Sequence, residues 1–385
     1  MISYLREHND IIYILFFAAA VIFSVLINGL FLRFFRTLGI RNNTDGTIIR
    51  WGTYSKPSVG GITFYIVFLL SVASYTVMFN PPESMYHYGF VGLLLSCASG
   101  FLVGLADDAY DTRPFLKFGI QLLCGVILVA SGIMINISPW WIVNCLLTLF
   151  WVVGIMNSVN MLDNMDGITA IVSMGIIVNT LTKLILYGDV NNMHFLALMG
   201  VLASLGAFLF FNWHPSKMYM GDTGSQFLGV FLATMGIVYF WNDPYHTIHP
   251  APTGKLIASA VMVFILPIVD TTVVVYNRMS KGKSPFVGGR DHTTHSLAYL
   301  GLSDRQVAFS FIALALCSVC QNIMIERFLF NWKHVYTIGF AIYFFGMLAF
   351  FFYTTRNKLT SDMEEKKKKE KETNVPQDTP VVTKK

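Results

Sequence analysis

The stretch "FLVGLADDAYDTRPFLKFGIQ", residues 101–121, places an acidic segment between two apolar runs. The acids are Asp107, Asp108 and Asp111. The flanking runs resemble membrane helices in composition, and ionised groups are costly close to hydrocarbon. These acids therefore indicate a functional site at the edge of a membrane segment.

The composition places the whole chain in the membrane. The chain has 385 residues, of which 54% are hydrophobic and 13% charged, whereas an average soluble protein carries about 25% charged residues. Apolar runs of about 20 residues recur, as in transmembrane helices, and they lack the alternation of barrel strands. The sequence therefore predicts an all-α polytopic protein whose partner is the lipid bilayer. No nucleic-acid partner is expected.

About eleven transmembrane helices are predicted. They lie near residues 11–33, 59–79, 88–106, 115–134, 140–157, 167–186, 194–211, 225–241, 256–276, 306–325 and 335–355. These helices form one transmembrane domain, residues 1–357. The segment 358–385 is charged and poor in apolar residues, which predicts a disordered cytoplasmic tail.

The distribution of Lys and Arg between the loops predicts the orientation. The loops near 33–56 and 277–305 are rich in these residues, whereas the loops of the opposite side hold almost none. Loops rich in Lys and Arg stay on the cytoplasmic side. We therefore expect the N-terminus outside, the C-terminus inside, and a multi-pass protein of the plasma (inner) membrane.

The polar motifs then all fall on the cytoplasmic side. After the first acidic segment come "NSVNMLDNMDG" (157–167), "FNWHPSKMYMGDTGS" (211–225) and "GGRDHTTHSL" (288–297). Asp and Asn also serve as ordinary turn and cap residues, so each motif alone has a structural explanation. Their convergence on one side favours an active site in the cytoplasmic-side loops. On the opposite side, Asp189 and Asp243 are expected to be isolated.

The spacing of the acids indicates a metal. Asp107 and Asp111 are four residues apart and Asp163 and Asp166 three apart, so each pair would share one face of a helix. Carboxylates held close together repel one another, and oxygen ligands without a matching Cys or His set favour Mg²⁺ or Mn²⁺. Mg²⁺ usually bridges a few protein ligands to substrate phosphates. The residues alone thus predict transfer between a phosphorylated cytosolic donor and a lipid-resident acceptor.

Taken together and in this order, the four motifs resemble the polyprenyl-phosphate N-acetylhexosamine-1-phosphate transferase family. The resemblance covers about residues 30 to 305. It implies transfer of N-acetylhexosamine 1-phosphate, most simply GlcNAc 1-phosphate, from a UDP-N-acetylhexosamine to undecaprenyl or another polyprenyl phosphate, with release of UMP. This reaction would be the first membrane step of cell-envelope polysaccharide synthesis. Homodimers are compatible with such a fold.

The resemblance also implies catalytic and metal-binding positions. One of Asp107 and Asp108 would deprotonate or orient the lipid phosphate, and the sequence does not decide which. Asp222 would be the principal Mg²⁺ ligand, with Asp166 as a second. The full catalytic set implied is Asp107, Asp108, Asp163, Asp166 and His292.

Further positions would bind the substrates. Tyr219 would stack on uracil, and Lys56 would stand at the pocket edge. Asp166 and Gly167 would lie near the uridine. The full substrate-binding set implied is Lys56, Asn157, Asn160, Gly167, Asn212, Tyr219, Arg290 and His295.

The last motif departs from the family pattern. Thr294 stands where a His is usual, and Ser296 replaces a common Arg. The triple-His run typical of the muramoyl-pentapeptide branch is absent, which favours the N-acetylglucosamine-type branch. The alternatives are a phospho-N-acetylmuramoyl-pentapeptide transferase and, from another class, a secondary transporter. A transporter would hold its charges near the bilayer midplane.

Three other features have more than one interpretation. Asp270 lies in an apolar run and should have a partner, either Arg278 or a residue of the pocket. His214 either shapes its loop or binds a ligand. The five cysteines all fall in apolar runs and are expected to be small buried side chains.

Overall fold

The structure is a computed structural model that describes residues 9–38, 56–79, 88–246, 251–282, 284, 292–329 and 331–373. Arg290, predicted to bind substrate, lies outside these residues.

Helices account for nearly all of the described chain. In chain order they are α1 (Asn9–Leu38), α2 (Gly60–Phe79), α3 (Tyr88–Tyr110), α4 (Pro114–Ala130), α5 (Trp141–Leu162), α6 (Ile168–Leu186), α7 (Met193–Asn212), α8 (Gly221–Gly236, continued by a π-helical turn Ile237–Trp241), α9 (Thr253–Val263), α10 (Ile265–Met279), α11 (Thr293–Tyr299), α12 (Asp304–Arg327) and α13 (His334–Thr373). The β pairing in the described residues is a single bridge between Ser58 and Tyr219.

The helices confirm the predicted class and refine the number of spans. In the described residues, nine helices are long and apolar enough to cross a membrane, and α9 with α10 would make a tenth if this bent pair forms one span. Each of the eleven predicted spans falls on one of these helices, on the α9–α10 pair or on α4. Helix α4 has only 17 residues, fewer than the roughly 20 that a span usually needs.

The bend between α9 and α10 has a local cause. The two helices meet at Phe264 at an angle of 77°. Pro267 lies in the first turn of α10 and has no N–H to bond to the carbonyl group four residues earlier, so the helix cannot run straight through this point. The bend turns α10 towards α5, against which it packs.

Helix α8 forms the centre of the bundle. Its most apolar window is 94% buried, and it packs against α2, α3 and α5. A Cβ atom on Gly104 of α3 would overlap the backbone oxygen of Asp222, so only glycine allows the two helices to approach this closely. The first turn of α8 therefore lies directly beside the end of α3.

The opposite end of the bundle holds a buried cluster of ionised groups, contrary to expectation. Lys183 lies 2.8 Å from Glu326 and 3.3 Å from Asp243, and Lys255 lies 3.3 Å from Glu326. Asp189 accepts a hydrogen bond of 2.8 Å from Tyr245. The prediction that Asp189 and Asp243 are isolated is therefore wrong. Residues distant in sequence contact these acids, Lys183 in the case of Asp243 and Tyr245 in the case of Asp189. A hydropathy pattern does not show such pairs.

Two further expectations change. Cys97 and Cys124 are buried as predicted, but Cys317 and Cys320 are exposed on the outer surface of α12. A thiol is apolar enough to face lipid as well as a core, so an apolar run alone does not distinguish the two. The backbone of α13 is helical as far as Thr373, past the predicted start of a disordered tail at 358, and the division into two domains stays a prediction.

Candidate active site

The ends of seven helices surround one large cavity. It has a volume of about 1120 Å³ and is lined by residues of α3, α4, α5, α7, α8, α10 and α11 and of the loops after α3, α5 and α7. The predicted site residues among its lining are Asp107, Asn157, Asn160, Asp163, Asp166, Asn212, Tyr219, Asp222, His292 and His295. The fold thus brings residues from all four motifs to one place.

Two of the acids converge on a lysine. Asp107 lies in the last turn of α3 and Asp222 in the first turn of α8. Lys117 of α4 is 3.0 Å from Asp107 and also donates a hydrogen bond to Asp222. Asp107 accepts a further bond of 3.0 Å from the backbone N–H of Thr112. One ammonium group therefore faces two carboxylates, and the cluster keeps a net negative charge that attracts a cation.

Helix α5 fixes the second oxygen of Asp222. The Asn160 amide donates a 2.7 Å hydrogen bond to Asp222 and a 2.8 Å bond to Ser225. One turn earlier, Asn157 donates to Gln121 at 2.8 Å. These two amides hold the end of α5 against α8 and α4, and they thereby orient the acidic cluster.

Asp108 faces away from the cavity towards α8. Its carboxylate accepts hydrogen bonds from the backbone N–H of Asp222 at 3.0 Å and of Thr223 at 2.9 Å, and from the Thr223 hydroxyl at 2.6 Å. The first N–H groups of a helix have no partner within the helix, and a carboxylate there is also stabilised by the positive end of the helix dipole. Asp108 thus caps α8 from a neighbouring helix. Its predicted role with the acceptor stays a prediction.

A short pairing between two loops builds another wall of the cavity. Tyr219 donates its backbone N–H to Pro57 at 2.9 Å, and Gly60 donates to the carbonyl of Tyr219 at 3.1 Å. The pairing places the Lys56 ammonium 5.1 Å from the centre of the Tyr219 ring. Lys56 also donates a 2.8 Å hydrogen bond to Ser216. The Lys56 ammonium therefore lies over one face of the Tyr219 ring.

Asp166 is held by the same loop. It accepts hydrogen bonds from the Ser216 hydroxyl at 2.7 Å and from the Ser216 backbone at 3.0 Å, and Lys56 is 4.0 Å away. His214 lies 3.1 Å from Asp166 and 3.2 Å from Asp304 of α12. His214 thus bridges two carboxylates, a contact that shapes the loop and joins it to α12.

Asn212 and Gly167 fix the course of the polypeptide backbone around the site. Asn212 accepts a 2.8 Å hydrogen bond from the N–H of Gly167 and donates a 2.8 Å bond to the carbonyl of Met218. Gly167 has φ +80°, a conformation that favours glycine. The buried Asn212 side chain therefore ties the start of α6 to the loop before α8.

His292 is anchored to the bent span. Its Nδ1 lies 3.0 Å from the buried carboxylate of Asp270, and its Nε2 lies 3.4 Å from the guanidinium of Arg278. Thr293 donates to Asp270 through both its backbone N–H and its hydroxyl, at 2.8 and 2.6 Å. The expectation that Asp270 has a partner in the pocket is confirmed, and the partner is His292.

The sequence relatives agree with this geometry. Residues 90–240, from α3 to the π-helical turn, match the family Glycosyl transferase family 4. This segment contains the acidic cluster, its lysine and the Asp166 loop. The chain is therefore similar to glycosyl transferase family 4 over these residues.

Curated relatives of the chain include several with named activities. A protein of Bacillus subtilis, named as a probable undecaprenyl-phosphate N-acetylglucosaminyl 1-phosphate transferase, is 28% identical over 258 residues, which are 64% of this chain and 69% of the relative. The undecaprenyl-phosphate alpha-N-acetylglucosaminyl 1-phosphate transferase of Escherichia coli is 26% identical over 310 residues, 75% of this chain and 78% of the relative. A phospho-N-acetylmuramoyl-pentapeptide-transferase of Streptococcus agalactiae is 30% identical, over only 47% of this chain and 59% of the relative.

The two pairs of acids do not share a helix face, because the stretches that hold them are not helical throughout. Helix α3 ends at Tyr110, and Asp111 has φ +52°. Asp163 and Asp166 lie in the turn that separates α5 from α6. Asp107 contacts Lys117 of α4, whereas Asp166 contacts Ser216 and His214 of the loop before α8.

Sequence reasoning missed Lys117 and Arg278. Lys117 stands in the apolar run "PFLKFGIQLL" (114–123), and an ionisable residue within an apolar helix is by itself a sign of a functional site. Arg278 was considered only as a partner of Asp270. Both cations line the cavity, but a pattern of acids that could bind a metal does not include them.

Proposed function

We propose that the protein transfers N-acetylhexosamine 1-phosphate, with GlcNAc as the first sugar to test, from a UDP-sugar to undecaprenyl or another polyprenyl phosphate and releases UMP. The named activities of the Bacillus subtilis and Escherichia coli relatives support this reaction. The observation that carries the proposal is the cavity itself, because it joins a charged end to an apolar flank.

The apolar flank suits a hydrocarbon chain. It is lined from α4, α5 and α10 by Phe118, Phe150, Trp151, Ile268, Val275 and Met279. Phe150 is 79% exposed and Phe118 is 45% exposed, so this side of the cavity opens on the outer surface of the bundle, where lipid would lie. A polyprenyl chain could thus enter sideways while its phosphate reaches the charged end.

The charged end suits two phosphate groups. An oxygen of the acceptor phosphate forms a new bond to the sugar-linked phosphorus of the donor, and the bond from that phosphorus to the oxygen of UMP breaks. The acceptor oxygen already carries negative charge near neutral pH, so the protein must chiefly position the two substrates and neutralise their charge. Lys117 supplies positive charge at this point, and Asp107 and Asp222 orient it.

We assign the divalent metal to Asp222, with Asp107 beside it. Among the described residues, no group of three His, Cys, Asp or Glu side chains is arranged to hold a metal ion. Two converging carboxylates nevertheless fit Mg²⁺, which takes few protein ligands and completes its shell with water and substrate phosphates. When bound, Mg²⁺ or Mn²⁺ would neutralise the phosphate oxygens. Asp166, predicted as a second ligand, is instead engaged by Ser216 and His214.

The nucleotide would bind at the wall built by the two paired loops. The Tyr219 ring provides a stacking surface for the uracil, and Lys56 beside it provides a charge for a phosphate. Asp166 orients Lys56 through Ser216. Asp163 and His295 line the same cavity and are proposed to contact the donor.

The proposed binding of a UDP-sugar in the cavity also gives the orientation of the protein in the membrane. UDP-sugars are cytosolic, so we propose that the cavity faces the cytoplasm and that the protein resides in the plasma (inner) membrane. The distribution of Lys and Arg in loops such as 277–305 supports the same direction. The N-terminus of α1 would then lie outside.

A substrate panel tests the proposal. The purified protein in detergent is incubated with undecaprenyl phosphate, Mg²⁺ and one of UDP-GlcNAc, UDP-GalNAc or UDP-MurNAc-pentapeptide, and UMP release is measured. We expect release with an N-acetylhexosamine donor and none when the lipid is omitted. No UMP release with any donor would overturn the proposal, and release only with the pentapeptide donor would favour the muramoyl branch.

A further inference from the structure

A buried aspartate of the bent span, Asp270, contacts a histidine of the cavity, His292. Asp270 is 1% exposed and His292 is 5% exposed. Three polar groups contact the two carboxylate oxygens of Asp270. Thr293 gives two of them, both to Oδ1, and His292 Nδ1 faces Oδ2. A buried carboxylate satisfied in this way is a fixed anchor.

The contact on the other side of the ring decides where the proton of His292 lies. Arg278 has only donor groups, so His292 Nε2, 3.4 Å from it, must accept with its lone pair. A neutral imidazole carries one proton, which must then be on Nδ1. His292 therefore donates from Nδ1 to Asp270 and accepts at Nε2 from Arg278.

We propose that Asp270 is a positioning residue that locks His292 in its Nδ1–H tautomer, and that this tautomer aims the Arg278 guanidinium into the cavity. Arg278 is 6% exposed and lines the cavity together with His292. Its charge then meets an anionic ligand there. The identity of this ligand as a sugar-nucleotide diphosphate rests on the proposed function, whereas the tautomer does not.

An amide in place of the acid would reverse the arrangement. In Asp270→Asn, the amide oxygen is expected to stay with the two Thr293 donors, which leaves the NH₂ group facing His292 Nδ1. Nδ1 must then accept, so the proton moves to Nε2. Two donors, His292 Nε2–H and Arg278, would face each other, and the guanidinium would leave its position. A wrong tautomer of a buried histidine can cost several orders of magnitude in turnover.

The bundle offers a matched control. Asp243 is also buried, 5% exposed, and its carboxylate lies 2.9 Å from His246 Nδ1. It belongs to the ion cluster at the opposite end and does not line the cavity. Asp243→Asn makes the same chemical change in a second buried aspartate that faces a histidine, here the partly exposed His246, so it reports the loss of stability alone.

The first test is kinetic. We expect Asp270→Asn to lower kcat on the order of 100-fold, Asp270→Glu to recover part of it because the carboxylate is kept, and Asp243→Asn to lower the melting temperature with kcat per folded protein unchanged. Asp270→Asn with kcat within twofold of the wild type would overturn the proposal. An equal kcat loss in Asp243→Asn would also overturn it.

The second test needs no activity and no variant of Asp270. The full chain is labelled with ¹⁵N-histidine, and the His292 signals are assigned from the spectrum of His292→Gln. We expect a protonated Nδ1 and an unprotonated Nε2 near neutral pH. A protonated Nε2 overturns the proposal even if the enzyme is active. If the tautomer is as expected but no donor gives UMP release, the proposed arrangement of Asp270, His292 and Arg278 stands and the proposed function is rejected instead.

Discussion

Asp108 at the end of α3 accepts a 2.9 Å hydrogen bond from the backbone N–H of Thr223, in the first turn of α8. Its chain neighbour Asp107 accepts a 3.0 Å bond from Lys117 instead. Two adjacent acids therefore have different surroundings, one at a helix end and one in the cavity. This difference separates their expected effects on stability and on turnover.

Asp108→Asn should lower both stability and activity. The amide group would place a donor against the N–H donors at the start of α8, and loss of a helix-capping interaction costs about 0.5–2 kcal/mol. Helix α8 carries Asp222, so UMP release should fall as well. Melting temperature in detergent and UMP release are the measurements.

The neighbouring variant is the matched control. Asp107→Asn should abolish most of the activity while the melting temperature changes little, because Asp107 faces the cavity. Equal melting temperatures for the two variants would contradict the capping role of Asp108.

Lys117→Met should remove most of the turnover. Methionine keeps the length of the apolar stem but leaves Asp107 and Asp222 without the cation between them, so the substrate phosphates would meet two uncompensated negative charges. We expect a fall in kcat/KM of at least about 100-fold, equivalent to about 2.7 kcal/mol. Lys333→Met, an exposed lysine outside the cavity, is the control. Near wild-type kcat/KM in Lys117→Met would remove this lysine from the proposed mechanism.

Asp222→Asn should weaken metal binding rather than unfold the protein. Its carboxylate is bound by Asn160 and Lys117, and an amide of the same volume binds Mg²⁺ much less well than a carboxylate does. The Mg²⁺ concentration for half-maximal UMP release should rise at least about tenfold. EDTA should stop the wild-type reaction, and added Mg²⁺ or Mn²⁺ should restore it.

The control for this variant is Asp189→Asn, since Asp189 contacts Tyr245 outside the cavity. Its Mg²⁺ dependence should equal that of the wild type. Full activity of the wild type in EDTA would contradict the metal assignment.

Gly104→Ala should separate α3 from α8. The added methyl group would overlap the backbone oxygen of Asp222, and forcing extra volume into a packed contact typically costs about 1–3 kcal/mol. We expect a lower melting temperature and loss of UMP release. Gly206→Ala in α7, where the added methyl meets nothing within 4 Å, should leave both unchanged. Wild-type activity in Gly104→Ala would show that the close approach is not required.

The sequence by itself determined the class and the acids that line the site. Apolar runs of spanning length require helices, because a backbone in lipid must satisfy its own hydrogen bonds. The acids at the ends of these runs, such as Asp107 and Asp222, could be identified because charge near hydrocarbon is costly and therefore retained for a reason.

Only the tertiary structure decided which of these residues meet. Lys117 joins acids that are 10 and 105 positions away, and Asp270 meets a histidine 22 positions away, beyond the end of α10. Hydropathy depends on each residue and its near neighbours, whereas these pairs depend on the direction in which each helix leaves its turn. The same reason explains the cluster around Glu326, whose charges cancel in space and not along the chain.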